Sequence, residues 1–319
     1  MAAEMIIINA SGKIMMPVLF DDITWETERE GVPGKLNFKV LYDKNLDIEE
    51  GNAVRFKWNN VKVFFGFIFK LTITAENVIS IVAYDQLRYL KNKDTYVISN
   101  QKASEMVIKI AGDFGLNLGG IEDTAYNIAS LTEDNMALFD IIGDCLDETL
   151  MNTGRLYVLY DDFGSLTLKN ISNMKNNLYI DSQTASDYSL ERSIDQDSYN
   201  QIKLVYDNKD TGVRDVYLVK NSENINKWGT LQYFDKLSDG ENGQTKAEAL
   251  MRLYGGRTAT LKVTKAFGVP SVRAGSLLPV SLKMGLTNVN SYMLVEKCTH
   301  TFSDNLDLMD LTLTGAQIQ

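Results

Sequence analysis

Apolar and polar residues alternate with a period of two along much of this chain. The clearest stretch runs from Leu46 to Asp85, where apolar runs are separated by polar turns at Gly51, Asn59-Asn60 and Glu76-Asn77. β-Branched and aromatic residues at every second position between Asn and Gly turns indicate antiparallel strands with one buried face. The sequence therefore predicts a three-stranded meander here.

A second stretch with the same plan lies near the C-terminus, from Val272 to Gly315. Gly275 opens a short apolar strand, an Asn-containing turn and a long alternating strand follow, and a Ser-Asp-Asn turn leads into the last strand. Turn order and strand-length order agree with those of the first stretch, which favours an internal duplication. The alternative is that two unrelated meanders look alike at this level.

The pattern changes to helical spacing between the two meanders. Ser99-Asn100 can cap a helix whose apolar residues recur every three or four positions up to Gly115. A second helix is predicted from Thr132 to near Gly154, because Glu133 and Asp134 would lie in its first turn, where the helix dipole favours acidic residues. A hairpin over residues 155–170 completes this α+β segment.

Strand patterns return from about residue 188. A hairpin over residues 201–220 turns at Asp207–Gly212, and one short helix is predicted from Thr245, where Thr245 and Glu248 match a capping box. The predicted fold is mainly β (α+β), with two β-barrel domains over residues 1–97 and 191–319. A small α+β insert over residues 98–190 lies between them.

Composition narrows the possible functions. The 319 residues are enough for two or three domains, and the formal net charge of −10 argues against a nucleic-acid-binding surface. The longest apolar run, Val63 to Ile73, contains Lys70 and is about half the length of a membrane helix. No secretory signal is recognised, so we expect synthesis in the cytoplasm.

Candidate catalytic and metal-binding residues are few. His300 is the only histidine, and we expect it to be a surface or hydrogen-bonded strand residue. Cys145 and Cys298 are expected to be small buried side chains, and a Cys298–His300 nucleophile pair lacks a third orienting group. Asp161-Asp162 are adjacent turn residues that point apart, unlike a glycosidase carboxylate pair. Asp207–Gly212 lacks the ligand pattern of a calcium loop. We therefore predict no catalytic, metal or cofactor site and no enzyme.

The polar segment from Asn221 to Gly243 contains three aromatic residues, Trp228, Tyr233 and Phe234. Exposed aromatic residues are enriched in protein interfaces, so these three are the candidate partner-contact residues. The alternative is an ordinary loop over a small satellite core.

Three runs of sequence resemble those of a known family. They are Val82-Ala-Tyr-Asp-Gln-Leu-Arg-Tyr-Leu-Lys-Asn-Lys, Lys102-Ala-Ser-Glu-Met-Val and Thr153-Gly-Arg-Leu-Tyr. Their order along the chain resembles that in the baseplate hub proteins of contractile phage tails. The likeness is greatest to the hubs of PBSX-like defective prophages and of the phage-tail-like bacteriocins of Gram-positive bacteria.

This resemblance implies a structural protein of the baseplate of a phage or tail-like particle, made in the bacterial cytoplasm. Such hubs are homotrimers whose two tail-tube-like barrels per chain form a pseudo-sixfold ring. The ring joins the tail tube protein to the central spike protein, and wedge and LysM-type tail proteins are further partners. No lytic domain is expected after Gln319. If the acidic residues line the bore, we expect them to let DNA pass without adhering.

Two other functions are weighed against this one. A cell-wall-binding or cell-wall-degrading protein of the tail tip is the main alternative, and a glycan pull-down or a zymogram would separate it from a hub. A tail-tube protein is disfavoured because a tube subunit needs one barrel, whereas this sequence predicts two.

Overall fold

A computed structural model of the chain describes residues 3–74, 77–195, 197–208, 211–237, 241–285 and 287–315. Most of these residues lie in β-strands, and the main sheet has twelve strands that come from both ends of the chain. Three smaller sheets have two, three and three strands. The mainly β class of the α+β type is confirmed.

The N-terminal part consists of seven strands that curl around one core. Eighteen buried side chains form this core, all of them on strands, including Trp25, Phe38 and Phe56. Alternation places most of these residues on one face of each strand. The strands are β1 (Ala3–Ile8), β2 (Ile14–Met15), β3 (Leu19–Glu28), β4 (Lys35–Leu41), β5 (Ala53–Trp58), β6 (Val61–Ile73) and β7 (Val78–Tyr84).

In β6 a bulge at Val63 shifts the alternation. Phe64 and Ile68 therefore face the core, and Phe65, Phe67 and Phe69, which the sequence alternation predicts to be buried, are only partly buried.

The middle part is an α+β unit with its own core, in which Met106, Ile110 and Ile141 are buried. A 3-10 helix over Gln86–Lys91 leads into it, and another over Ile171–Asn173 follows its hairpin. Its other elements are β8 (Lys93–Lys102), α1 (Ala103–Asp113), β9 (Leu118–Ile121), β10 (Asn127–Ala137), α2 (Leu138–Thr153), β11 (Tyr157–Asp161) and β12 (Leu166–Asn170). The predicted hairpin is confirmed.

Both predicted helix starts in this unit are wrong. Ser99-Asn100 lies in β8, and the Thr132 segment lies in β10, because these two strands pair with Ile98 opposite Leu131. The pairing buries Ile98 and Ile128, which local capping preferences do not anticipate. The helices begin after these strands, at Ala103 and Leu138.

The C-terminal part combines a second set of main-sheet strands with a small α/β layer. Its helix α4 starts at Gly243 instead of Thr245, because Asn242 is the cap and its side chain accepts a hydrogen bond from the Thr245 N–H (3.1 Å). The predicted hairpin of β14 and β15 is confirmed, although positions 209–210 of its turn lie outside the described residues. The elements are β13 (Asp187–Ser193), β14 (Gln201–Asp207), β15 (Arg214–Lys220), α3 (Ser222–Trp228), β16 (Gln232–Lys236), α4 (Gly243–Tyr254), β17 (Thr258–Phe267), β18 (Leu277–Met284), β19 (Thr287–Ser303) and β20 (Leu306–Gly315).

The strand order supports the predicted internal duplication. The strands run β3-β4-β7-β6-β5 in the first half and β13-β17-β20-β19-β18 in the second, with all neighbours antiparallel. The long middle strands β6 and β19 each contain a bulge, after Ile68 and after Val295. We call these two sets of five strands the first and second repeats. Among the described strands the pairings follow an open path, so the two closed barrels remain a prediction.

One turn is repeated in atomic detail. Gly51 and Gly275 both have positive φ, of 87° and 90°, which glycine adopts without steric cost. The Gly51 N–H donates to the Ile68 carbonyl, and the Gly275 N–H donates to the Val295 carbonyl, each at 2.8 Å. Ile68 and Val295 are therefore equivalent positions in the two repeats.

The repeats are joined by pairing between β3 and β19, and His300 lies at the centre of this join opposite Trp25. Its ring is fully buried and stacks on Trp25 and Phe302, with centroid separations of 5.2 and 5.5 Å. Nδ1 lies 2.8 Å from Asp307 Oδ1, and Nε2 lies 2.8 Å from the Val272 carbonyl oxygen. Both ring nitrogens face acceptors, so the protonated imidazolium fits this site best. The expectation of a hydrogen-bonded strand histidine is confirmed.

Stability should fall at alkaline pH because of His300. Burial lowers the pKa of the imidazole, but Cys298 and the Asp307 hydrogen bond outweigh this and raise the pKa to about 10. The unfolded value is about 6.5, so the folded state binds the extra proton between these two values. We expect the contribution to be complete below about pH 6.5 and to decrease by up to about 1.4 kcal/mol per pH unit above it.

Urea unfolding across this pH range measures the slope. His300→Gln should be less stable near neutral pH and should have a flatter profile. Cys298→Ala should keep a slope of the same sign over a narrower pH range, because the contribution of Cys298 is lost while the Asp307 carboxylate and the Val272 carbonyl still face the ring. Identical pH profiles for the parent protein and His300→Gln would contradict a charged imidazole.

Candidate partner-contact surface

The three candidate aromatic residues occupy different environments. Trp228 is half-buried at the end of α3. Tyr233 points toward α4 and packs edge-on against Tyr199, with ring centroids 5.4 Å apart. Only Phe234, one residue further along β16, is widely exposed, at 55%. Alternation along the strand therefore directs Tyr233 into the small core and Phe234 outward.

Phe234 lies on an open face of the three-stranded sheet of β15, β14 and β16. Lys203 of the central strand lies opposite Leu218 on one side and Phe234 on the other. Val216 and Leu218 are also widely exposed, and the Lys203 ammonium lies 5.9 Å from the Phe234 ring centroid. We call Lys203, Val216, Leu218 and Phe234 the contact face.

The opposite side of the same sheet is covered. Ile202 and Leu204 of β14 are fully buried with Ala247 and Leu250 of α4. The sheet therefore has one buried face and one solvent-exposed face. The exposed face carries apolar side chains, although the composition of the chain is strongly acidic. An apolar exposed sheet face is a feature of interaction surfaces.

Basic residues surround the contact face. Lys236 and Arg214 both bind Asp207, each at 2.6 Å, and this paired environment lowers the pKa of Asp207 to about 2. Lys203 and Lys220 add two further positive charges on this side of the sheet. The face therefore has positive charge although the whole chain is acidic, which favours an acidic partner surface.

A second polar cluster is buried where three parts of the chain meet. Arg273 precedes β18, and its guanidinium carbon lies 4.2 Å from the Tyr160 ring centroid and 5.5 Å from that of Trp25. Its Nη1 donates to the Asp161 carbonyl (2.9 Å). Asp85 lies at the same site and accepts hydrogen bonds from the Gly34 and Leu87 N–H groups.

Asp161 and Asp162 point apart as predicted, Asp161 inward and Asp162 to the surface. The Asp161 carboxylate accepts from Gln86 Nε2 (2.9 Å) and from the Gly164 N–H (2.6 Å). Burial raises the pKa of Asp85 well above its usual value, and the neighbouring Asp161 raises it further. The cavity at this cluster measures about 10 Å³, room for no more than one water. The cluster therefore connects the α+β unit, the predicted insert, to both repeats. It has no space for a substrate.

Within the described ranges, no group of three or more His, Cys, Asp or Glu side chains could hold a metal ion. Cys145 and Cys298 are both buried and unpaired, as expected, and burial raises the pKa of Cys145 to about 12. Among the described helices none is long and apolar enough to cross a membrane.

A family model for YQBQ-like proteins matches residues 23–314. The chain belongs to the YQBQ-like family. It is 31% identical over 320 residues to the phage-like element PBSX protein XkdQ of Bacillus subtilis, covering 93% of this chain and 92% of that protein. The resemblance to PBSX-like tail proteins that the sequence predicts is confirmed.

Solved structures share the fold of this YQBQ-like chain at low sequence identity. The 43 kDa tail protein of prophage MuSo2 from Shewanella oneidensis superposes with a TM-score of 0.71 at 14% identity, covering 97% of this chain and 98% of that protein. The E. coli c3393 protein, a type VI secretion component described as similar to the T4 tail proteins gp27 and gp5, gives 0.55 at 10% identity, covering 93% and 73%. The fold is therefore that of phage tail proteins.

Replacing Arg273 should destabilise this YQBQ-like protein strongly. Arg273→Met leaves two buried carboxyl groups without their cation, and we expect a loss of about 3 kcal/mol in unfolding free energy. The loss should be smaller at about pH 5 than at about pH 8, because a protonated Asp85 needs no counter-charge. Urea titrations at both values measure it. The exposed Arg252→Met is the control, with an expected change within about 0.5 kcal/mol.

Neighbouring aromatic residues on β16 should behave differently on mutation. Tyr233→Ser removes a packed ring and should cost about 2 kcal/mol, whereas Phe234→Ser should change stability by less than about 0.5 kcal/mol. Thermal or urea unfolding measures both. If Phe234→Ser costs as much as Tyr233→Ser, the outer side of β16 is covered and cannot be a free contact face.

Proposed function

We propose that this protein is the structural hub of a phage-tail baseplate, and that it forms a trimeric pseudo-sixfold ring between the tail tube and the central spike. The observation that carries the proposal is the duplicated strand order of β3-β4-β7-β6-β5 and β13-β17-β20-β19-β18. One chain with two similar units can supply a sixfold-like surface on one side and threefold symmetry on the other.

The buried polar groups agree with a structural function. His300, Asp85, Asp161 and Arg273 all lie at joins between parts of the chain, where each is packed or hydrogen-bonded. The cavity beside Asp85 and Arg273 measures about 10 Å³, which is too small for a substrate. Stability of the assembled particle is a sufficient reason for these groups, so the proposal requires no catalytic step.

The partners in this proposal are two further copies of the chain, the tail tube protein and the spike protein. The similarity to PBSX and prophage tail proteins supports a place in a phage or tail-like particle. The contact face around Phe234 is the proposed surface for one of the neighbouring tail proteins, because it is apolar and basic. The sequence-based boundaries near residues 97 and 190 stay predictions.

Light scattering tests the assembly. We expect a mass of three chains, either for the protein alone or after mixing with the tube and spike proteins of the same particle. A ring interface can be weak without its partners, so both conditions are needed. A monomer in every mixture would overturn the hub, and retention on cell-wall glycan would then favour the tail-tip alternative.

A further inference from the structure

The two repeats can be aligned residue by residue through their hydrogen bonds. Ile68 and Val295 are equivalent through the Gly51 and Gly275 turns. In the first repeat Ile68 pairs with Ala83, and Ala83 pairs with Leu36 on its other side. In the second repeat Val295 pairs with Leu313, and Leu313 pairs with Leu261. All these side chains are fully or nearly fully buried. Leu36 pairs with Trp25, and Leu261 pairs with Leu190. Strand β13 is therefore the counterpart of β3, with Leu190 at the position of Trp25.

The same alignment identifies the counterpart of the segment that joins the repeats. The bulges of β6 and β19 fall after Ile68 and Val295, so Lys70 corresponds to Lys297. The β19 segment Lys297–Phe302 pairs with β3. Its counterpart is the last part of β6, from Lys70 onward, with Ile73 at the position of His300.

Both counterparts have an open edge. Over the described residues, β13 pairs with β17 alone, and the Lys70–Ile73 segment of β6 pairs with β7 alone. Ile73 is 71% exposed although it continues an apolar strand. Leu190 packs against the second core but is only partly buried. Among the described strands, nothing pairs with the free edge at the end of β6 in the first repeat. No described strand pairs with the free edge of β13 in the second repeat either.

We propose that β13 of one copy pairs antiparallel with the end of β6 of a second copy, in the register that β3 and β19 use within the chain. Leu190 then lies opposite Ile73, Glu191 opposite Thr72 and Ser193 opposite Lys70. This inference rests on the proposed ring, and it assigns the strands and the register of the ring's subunit interface.

Three features favour a second copy as the occupant of these edges. The join inside the chain is heterologous, since β3 of one repeat meets β19 of the other, and repeating such a contact between copies closes a ring. Backbone groups on both free edges would be paired, which removes two exposed edges at once. The charges are also compatible with this pairing. Across the internal join Lys297 contacts Glu28 at 3.4 Å. In the proposed pairing Lys70 would lie diagonally across from Glu191, with the same two signs of charge.

Disulfide trapping tests the register. The full chain with Ile73→Cys and Leu190→Cys is assembled under the conditions that give a trimer, oxidised and separated without reductant. We expect covalent dimers and trimers. The matched control, Thr72→Cys with Leu190→Cys, shifts one position by a single residue and places the thiols on opposite faces, so it should cross-link at least about tenfold less. The native Cys145 and Cys298 are buried and stay in place.

A second pair of variants measures the interface without new cysteines. Ile73→Glu should lower the trimer fraction at least about tenfold, because it places a carboxylate in the apolar pair with Leu190. Met16→Glu, at a residue that is also 71% exposed, should leave the trimer fraction unchanged. Circular dichroism confirms that each variant is folded before assembly is compared.

The outcomes separate this inference from the proposed function. A trimer without the Ile73–Leu190 cross-link, or with equal cross-linking in the control, overturns the register and leaves the hub standing. A cross-linked monomer means that β13 closes onto β6 of its own chain, which also overturns the inference. A monomer in every mixture overturns both.

Discussion

The pairing of β3 with β19 is the constraint on which the arrangement of the main sheet depends. Six residue pairs connect strands that are about 270 positions apart in sequence, and His300 is at their centre. A charged imidazolium between Trp25 and Phe302 is costly to desolvate, but both of its nitrogens are bound. A one-residue slip of β3 along β19 would turn Trp25 to the other face of the sheet and away from the His300 ring, so the buried stack of these two rings favours one register.

The two repeats differ where the insert attaches. The turn before Gly51 and the turn before Gly275 have the same hydrogen bonds, so Glu49 and Arg273 are equivalent backbone positions. Glu49 is exposed, whereas Arg273 is half-buried and its guanidinium packs on the Tyr160 ring beside Asp161. The common turn thus carries a side chain that contacts the insert in the second repeat and a solvent-exposed side chain in the first. At this turn the backbone is the same in both repeats, and the asymmetry lies in the side chains.

Local patterns predicted the strands of both repeats well, because alternation and Asn/Gly turns depend on neighbouring residues. The start of α2 could not be predicted in the same way, since the pairing of Leu131 with Ile98 decides it across a long separation. The Arg273 cluster was missed for the same reason, because nothing near Asp161 in sequence indicates Asp85. Of the three candidate contact residues, alternation along β16 separates Phe234 from Tyr233, but only once the strand itself is known.

Exposed apolar residues on this protein have two distinct physical origins. Phe234 is exposed on the face of a three-stranded sheet, so a partner that covers this face gains side-chain contacts and little backbone hydrogen bonding. Ile73 is exposed at a strand edge, where a partner gains both. An edge contact specifies register as well as affinity, and this protein already contains one such contact between its own repeats. The edge is therefore suited to the repeated subunit contact of a ring, and the contact face to a neighbour of different shape.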